Sequence, residues 1–492
     1  MTTYVCAIDQ GTTGTKAMIL DEQLTLHARV IREFEQIYPE PGWVEHDPEA
    51  LWYSTLEALA EARQQAGITK TDIDAIGLAN QRETTVLWNR RTGDPIHNAI
   101  VWQDRRTADQ LDAHKQAGHE EMIRNKTGLL LDPYFSASKL KWLLDNVEGA
   151  RKQAENGELA FGTVDTFLLW RLTGGSVHAT DVSNASRTLL MNLETTEWDP
   201  ELLDLFEVPD AVLPTITESS GTLGRVEDIE PLADGTPIGG IAGDQQAALF
   251  GQACFNRGQA KCTYGTGAFL LSNTGNEPVL SDNRLLSSAG WKIDDQVTYV
   301  LEGSAFMAGA MVQWLRDQLG LIDTTEEVEQ LARRVDDTGG VVVLPSFTGL
   351  GAPYWKADAR GLITGLTRES SDAHIARATL EGIALQNVDI FHAMEEDLGE
   401  PVHDVRVDGG ASQNDLLMQM QADFLDQPVT RPEMTETTSL GACLLAGLGR
   451  GIFSDYKTIK NIYTPDRVFE PDIDEGTRRS TLERWDDALR KV

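Results

Sequence analysis

Cysteine is scarce in this chain of 492 residues: there are four, Cys6, Cys254, Cys262 and Cys443. No two have the CxxC spacing and none joins a histidine cluster. That argues against a zinc module or a disulfide framework and for a reducing compartment. Long apolar runs are absent too. Nothing approaches the ~18 residues that span a bilayer. The apolar run from Tyr4 to Ile8 stops at Asp9, with no Lys or Arg before Lys16, so it does not read as a signal peptide. The expected location is cytoplasmic, with no membrane span. Basic residues are also few: Asp and Glu number 77 against 42 Lys and Arg, of which 13 are Lys, for a net charge of −35. A nucleic-acid partner is therefore not expected, since phosphate backbones select basic faces. The acidity is spread along the chain and not gathered in a tail, as on a solvated surface. In molar salt the Debye length shrinks to ~3 Å and such a surface stops repelling itself. A salt-rich, halophilic cytoplasm is the economical reading, and a merely acidic protein the plain alternative.

Two common phosphate-binding devices are missing as well. There is no G-x-x-x-x-G-K-[ST], and no G-x-G-x-x-G ahead of a helix. In their place stand Gly/Thr turns between apolar strands. Val5–Ile8 feeds residues 9–16 (DQGTTGTK), and a second apolar run covers Ala17–Leu20, a hairpin pattern. The pattern recurs in the second half, where Ala260–Thr263 leads into Tyr264-Gly265-Thr266-Gly267 and then Ala268–Leu271. A third turn, Asp408-Gly409-Gly410, follows a strand at Val402–Val407 and precedes an amphipathic helix over Gln413–Leu425. Helix N-termini and turn amides of this kind can grip phosphate, although each alone is more often a plain turn. Helices are predicted over Pro48–Ala66, Ser138–Asn146, Ala247–Phe250, Ala305–Leu319, Ala373–Leu398 and Ser439–Leu448. Further strands are predicted at Ile76–Ala79, Val86–Trp88, Ala99–Trp102 and Pro237–Ala242. The length suggests two domains, and the repeated strand–turn–strand opening suggests two similar halves.

These turns, in this order, resemble the actin/Hsp70/sugar-kinase superfamily. Two longer patterns resemble its FGGY carbohydrate kinases: residues 134–146 (YFSASKLKWLLDN) and 361–381, with Gly361–Leu366, His374-Ile375 and Ala378–Glu381. Residues 34–48 (FEQIYPEPGWVEHDP), 80–85 (NQRETT), 98–103 (NAIVWQ), 162–166 (GTVDT) and 243–251 (GDQQAALFG) are similar to the members that phosphorylate glycerol. The resemblance implies an α/β fold of two actin-like (ribonuclease H-like) domains flanking a cleft, here 1–252 and 253–492. It implies ATP and Mg²⁺ as cofactors, glycerol as acceptor, and a homo-oligomer, dimer or tetramer.

The acceptor chemistry fits the residues at those positions. Three hydroxyls on a short carbon edge call for charged donors and acceptors between apolar walls. Arg82, Glu83, Tyr134, Asp244 and Gln245 supply the polar groups, and Trp102 and Phe269 the walls. Asp244, after a strand end, is the candidate general base. Two plainer readings stand beside these: Arg82-Glu83 as a surface ion pair at a strand end, and Asp244 as a helix N-cap. The resemblance further implies that Asp9 orients Mg²⁺ through waters and that Thr12, Thr13, Gly14 and Lys16 face the ATP phosphates. Thr266, Gly309, Gln313, Gly410 and Asn414 then face the nucleotide. Gly14 and Lys16 replace the usual Ser and Arg, and Lys keeps the charge without the guanidinium fork. The segment Pro231–Pro237, with Asp234, lacks the Gly/Arg loop through which some bacterial relatives bind fructose 1,6-bisphosphate. His46, His97, His178 and His374 read as structural. The alternatives are an FGGY kinase of another polyol, ketose or sugar acid, and a non-kinase ATPase of the superfamily, which would leave Arg82, Glu83 and Asp244 without a task.

Overall fold

A computed structural model describes residues 2–356 and 358–492. Its frame is two large sheets, one in each half of the chain. The first contains β1 (Tyr4–Gln10), β2 (Gly14–Asp21), β3 (Leu26–Glu33), β4 (Ile73–Asn80), β5 (Ser220–Arg225) and β6 (Pro237–Gly243), in the order β5-β6-β4-β1-β2-β3. The second contains β7 (Gln259–Tyr264), β8 (Ala268–Gly275), β9 (Leu286–Ile293), β10 (Gln296–Ala305), β11 (His403–Asp408), β12 (Val429–Pro432) and β13 (Pro465–Phe469). Its order is β9-β10-β8-β7-β11-β12-β13. In both, a three-stranded antiparallel meander is followed by two strands parallel to its first member and an antiparallel edge strand. The repeat expected from two Gly/Thr hairpins is thus a repeat of whole sheets, with β9 as the second half's addition.

The helices that bear on the site are α1 (Pro48–Ala66), α2 (Ser136–Asn146), α3 (Asp244–Gly251), α4 (Gly309–Asp317), α5 (Asp372–Leu398), α6 (Asp415–Leu425) and α7 (Thr437–Gly449). Local chemistry sets α1: Asp47 accepts from the Glu49 N–H as N-cap, Pro48 opens the helix, and Gly67 at φ 67° ends it. The central strands of the first sheet, β1, β2, β4 and β6, are buried almost throughout because both faces are covered. The helix α1 packs on β2 and β3, and α7, from the far end of the chain, packs on β1, β4 and β6. Close approach makes glycine necessary there. A Cβ at Gly441 would lie 1.8 Å from the Ala247 carbonyl oxygen, and one at Gly77 2.0 Å from that of Ala442. The small-residue helix therefore ties the two halves together.

Two expectations need correction. The helix expected over Ala305–Leu319 is shorter, Gly309–Asp317, because Ala305 still pairs with Ala268 as the end of β10. The chain then folds over the second Gly/Thr turn, the Ala308 N–H donating to the Thr266 carbonyl at 2.8 Å. Strand Ala99–Trp102 shrinks to Ala99–Ile100. The four cysteines are free and buried, and among the described residues no helix is long and apolar enough to cross a membrane.

Candidate active site

Strands β1, β4 and β6 run parallel, so their carboxyl ends lie side by side, where open α/β sheets place ligands. The residues delivered there are Asp9 from β1, Arg82 and Glu83 just beyond β4, and Asp244 at the first turn of α3. Arg82 is 3% exposed and Glu83 1%. The Arg82 guanidinium forms a fork onto Glu302 of β10, with Nη1–Oε2 2.5 Å and Nη2–Oε1 2.8 Å. Its Nε lies 3.3 Å from Asp244 Oδ1, and its Nη2 donates to the Tyr134 hydroxyl at 3.4 Å. Glu83, at φ 60°, turns its carboxylate to Arg187, whose Nε donates at 2.6 Å. Arg187 also reaches Glu302, Nη2–Oε1 3.3 Å. Two guanidinium groups and two carboxylates are thus buried as a neutral set. Burial alone would raise the Glu302 carboxyl, but Arg187 and Arg82 outweigh it and hold it down to about 2.

Asp244 closes this end. Its Oδ1 accepts from the Gln245 backbone N–H at 2.7 Å and its Oδ2 from the Gln245 side-chain amide at 3.2 Å. The N-cap position of α3 is held by Gly243, so Asp244 is the first helical residue and not the cap. A Cβ at Gly243 would sit 2.7 Å from the Arg82 side chain, so only glycine lets Arg82 pass behind the helix start. Trp102 donates through Nε1 to Thr12 Oγ1 at 3.0 Å and meets Tyr134 edge-on at 5.4 Å. That contact ties the apolar wall to the first Gly/Thr turn. Phe269, half-buried on β8, pairs with Thr263 of β7.

The first turn is closed by the Gly11 N–H donating to the Gly14 carbonyl at 3.0 Å, with Thr13 exposed at its tip. A Cβ at Gly14 would come within 2.9 Å of the Arg32 carbonyl oxygen, so any side chain there requires the backbone to shift. Lys16 is 3.3 Å from Asp9 and is bonded to Glu436. Burial raises the Asp9 carboxyl, with Lys16 opposing and Asp244 adding to the effect. Asp9 and Asp244 influence each other as like charges, and hard carboxylate oxygens of this kind are donors that Mg²⁺ takes. That ion keeps its waters and binds through one or two carboxylates plus substrate phosphates.

On the opposite side Thr266 and Gly265 form the second turn. The Gly309 N–H donates to the Gly265 carbonyl at 3.0 Å, and a Cβ on Gly309 would be 2.6 Å from that oxygen. Gln313 and Gly410 are exposed, and nothing lies within 4 Å of where a Cβ on Gly410 would stand. The Asn414 side chain caps α6, accepting from the Leu417 N–H at 2.9 Å. A separate cavity of about 410 Å³, lined in part by Arg377, Glu381 and Arg484, shares no residue with this site.

Residues 4–251 match the N-terminal domain of the FGGY family of carbohydrate kinases, and residues 260–449 match its C-terminal domain. The chain belongs to the FGGY family of carbohydrate kinases. It is 53% identical to a glycerol kinase of Bdellovibrio bacteriovorus over 100% of both chains, and 53% identical to one of Polaromonas naphthalenivorans over 99% of both. A crystal structure of Plasmodium falciparum glycerol kinase with ADP superposes with a TM-score of 0.94 at 37% identity, covering 100% of this chain and 98% of that one. A gluconate kinase from Lactobacillus acidophilus, at 24% identity and a TM-score of 0.87 over 98% and 96% of the chains, shares the fold. The architecture is accordingly the two-domain FGGY fold, of the actin-like type.

Within this FGGY kinase, the plain reading of Arg82-Glu83 as a surface ion pair is overturned. Both are buried, and the strongest partner of Arg82 lies 220 residues away. Glu302, Arg187 and Lys261 were not among the predicted site residues. Each is a lone charge in an apolar or small-residue stretch, which is the signal that marks them. Lys139 is another: its buried ammonium donates to the carbonyls of Pro133, Tyr134 and Phe135 at 2.8, 2.6 and 2.7 Å, fixing the Tyr134 loop. The four histidines are hydrogen-bonded as structural residues: His46 to Gln36, His97 to the Asn98 carbonyl, His178 to the Phe161 carbonyl and His374 to Ser371.

Proposed function

We infer that the chain transfers the γ-phosphate of ATP to a terminal hydroxyl of glycerol, forming sn-glycerol 3-phosphate and ADP. The observation that carries this is the buried Arg82–Glu302 fork beside Asp244 and Gln245, in a chain 53% identical over its whole length to proteins named glycerol kinase. The Gln245 amide donates to an acceptor hydroxyl, and Arg82 does so through Nη2 where its long contact to Tyr134, 3.4 Å, gives way. Glu83, whose Oε1 is taken by Arg187, accepts through Oε2. Tyr134 adds a hydroxyl, and Trp102 and Phe269 wall the carbon edge. Asp244 takes the proton of the attacking hydroxyl. Its Oδ1 is held by Arg82 and the Gln245 N–H, while Oδ2 takes only the longer Gln245 amide contact at 3.2 Å and is the accepting oxygen. The hydroxyl oxygen then bonds to the γ-phosphorus as the bond to the β,γ-bridging oxygen breaks, and ADP leaves.

Thr12, Thr13 and Gly14 face the phosphates from one side. Thr266, Gly309, Gln313, Gly410 and Asn414 face the nucleotide from the other. Asp9, with Asp244 in range, would hold Mg²⁺ through waters, and the ion would neutralise phosphate charge. Lys16, tied to Asp9 and Glu436, acts on the phosphates as a point charge behind Asp9. We also propose domains at 1–252 and 253–492, a cytoplasmic location, a homo-oligomer and adaptation to high salt. Fructose 1,6-bisphosphate is not expected to act at residues 231–237. There the Asp234 carboxylate accepts from the Asp228 N–H, and Arg225 is engaged with the Gly235 carbonyl.

A substrate panel tests the acceptor. With ATP fixed, glycerol should give the highest kcat/KM among polyols, ketoses and sugar acids. A ketose or sugar acid turned over faster would move the chain to another FGGY activity.

A further inference from the structure

The polar groups that read the acceptor come from the first half, yet two of them are held by charges from the second sheet. Lys261 lies on β7 and is fully buried. Its ammonium has three protons and three acceptors: Gln245 Oε1, Thr263 Oγ1 at 2.8 Å and the Phe269 carbonyl at 3.2 Å. An ammonium donates and cannot accept, so it decides which way the Gln245 amide faces. The oxygen must point to Lys261 and the nitrogen towards Asp244, where it donates at 3.2 Å. Its second N–H is then available to an acceptor hydroxyl. Glu302, on β10 and 1% exposed, plays the corresponding part for Arg82. Its two oxygens take Nη1 and Nη2 at 2.5 and 2.8 Å, which orients the guanidinium plane and turns Nε towards Asp244.

We propose that Lys261 and Glu302 are positioning residues for the acceptor, fixing Gln245 as a hydrogen-bond donor and Arg82 in a single orientation. The proposal rests on the function inferred above. It adds that acceptor selectivity is set from the second sheet, by residues that do not touch the acceptor. A site built to hydrogen-bond a hydroxyl rejects an analogue lacking it far more strongly than an apolar pocket can, because its polar groups are left unpaired. That rejection depends on the donors being held in place. Without Lys261 the Gln245 amide can rotate, and without the Glu302 charge Arg82 can turn to Glu83 or Asp244. Hydroxyl discrimination then falls while nucleotide binding stays.

The test uses the full-length protein and its Glu302→Gln and Lys261→Met variants, assayed with glycerol, 1,2-propanediol and 1,3-propanediol at saturating MgATP. The wild-type protein should prefer glycerol to each diol by on the order of 10²-fold or more in kcat/KM. Each variant should lose about tenfold of that preference against at least one diol, with KM for ATP within about twofold of wild type. If Glu302→Gln does not fold, Glu302→Asp, which keeps the charge but withdraws it from the fork, should give the same loss. For Lys261 a second measurement separates positioning from bulk. In a Gln245→Leu background, Lys261→Met should cost less than about threefold, because the group it positions is gone. A uniform fall on all three acceptors, an unchanged preference, or full additivity with Gln245→Leu would overturn the proposal. Absence of glycerol turnover in the wild-type protein would refute the underlying function and this proposal with it.

Discussion

At the proposed acceptor end, Arg82, Glu83, Arg187 and Glu302 are at most 3% exposed and are bonded to one another. At the proposed nucleotide end, Thr266, Gln313 and Gly410 are at the surface, and the turns offer backbone and short side chains. The two ends meet different demands. Glycerol is small and neutral, so selectivity must come from buried charges that lose a partner when a hydroxyl is missing. A nucleotide brings its own charge and size, and amides and glycine backbone suffice to hold it. The acceptor end should therefore be intolerant of single changes, and the nucleotide end forgiving.

The largest effect that would break this contrast is at Asp244. Asp244→Asn should lower kcat by about 10²–10⁴-fold, with MgATP affinity by calorimetry near that of wild type. Near-normal kcat would remove Asp244 from the base role. Arg82→Ala comes next. It leaves Glu83 and Glu302 buried with Arg187 as their shared cation, so it should cost about 3–5 kcal/mol of stability and raise KM for glycerol by at least about tenfold. An unchanged melting temperature would mean that the network is not as desolvated as its geometry implies. Thr266→Ala samples the forgiving end. KM for ATP should rise by about twofold to tenfold, the worth of one neutral hydrogen bond, with KM for glycerol unmoved. A collapse as deep as that of Arg82→Ala would erase the distinction.

Salt should separate the ends without a mutation. The −35 charge repels an approaching anion at low ionic strength, where the Debye length is ~30 Å at 0.01 M, and leaves neutral glycerol unaffected. From dilute buffer to molar KCl, KM for ATP should fall, KM for glycerol should hold, and the melting temperature should rise. A KM for ATP that rises with KCl would contradict the surface-field account.

Burial alone does not explain the acceptor end, as carboxyls elsewhere in the second half show. Asp389 on α5 accepts from Trp485 Nε1 at 2.7 Å and the Tyr354 hydroxyl at 2.8 Å, with no cation against it among the described residues. Burial pushes it up to about 7, whereas Glu302, which is more deeply enclosed, is held down by two arginines. Above its unfolded value, the Asp389 carboxyl binds its proton more tightly in the folded state, so stability should decline as pH rises from about 4 towards 7. Asp389→Asn should flatten that decline in thermal melts between about pH 4 and 7, and an identical slope would refute it.

The sequence is most legible where structure is local. The helix α1 is marked by Asp47, Pro48 and Gly67, and the two hairpins by apolar runs around Gly and Thr. Arg82, Asp244 and Gln245 stand out because each follows a strand that the pattern makes visible. Pairing across the chain is not legible in the same way. Glu302 meets Arg82 from a strand of the second sheet, and Arg187 meets Glu83 from the segment after Val182–Ala185, 220 and 104 residues apart in sequence. Strands β9 and β10 escape the apolar pattern because their joining turn, Asp294-Asp295, and edge positions are polar. Ala305 reads as a helix start because the residues after it are rich in Ala and Met.

The most direct test of the central claim is to follow the γ-phosphate by phosphorus NMR, with the protein, MgATP and glycerol in one tube. A phosphomonoester on a primary carbon of glycerol should appear in step with ADP, with neither forming at a comparable rate when glycerol is left out. ADP and inorganic phosphate appearing at the same rate with and without glycerol would contradict it, and would make the chain an ATPase on a kinase fold.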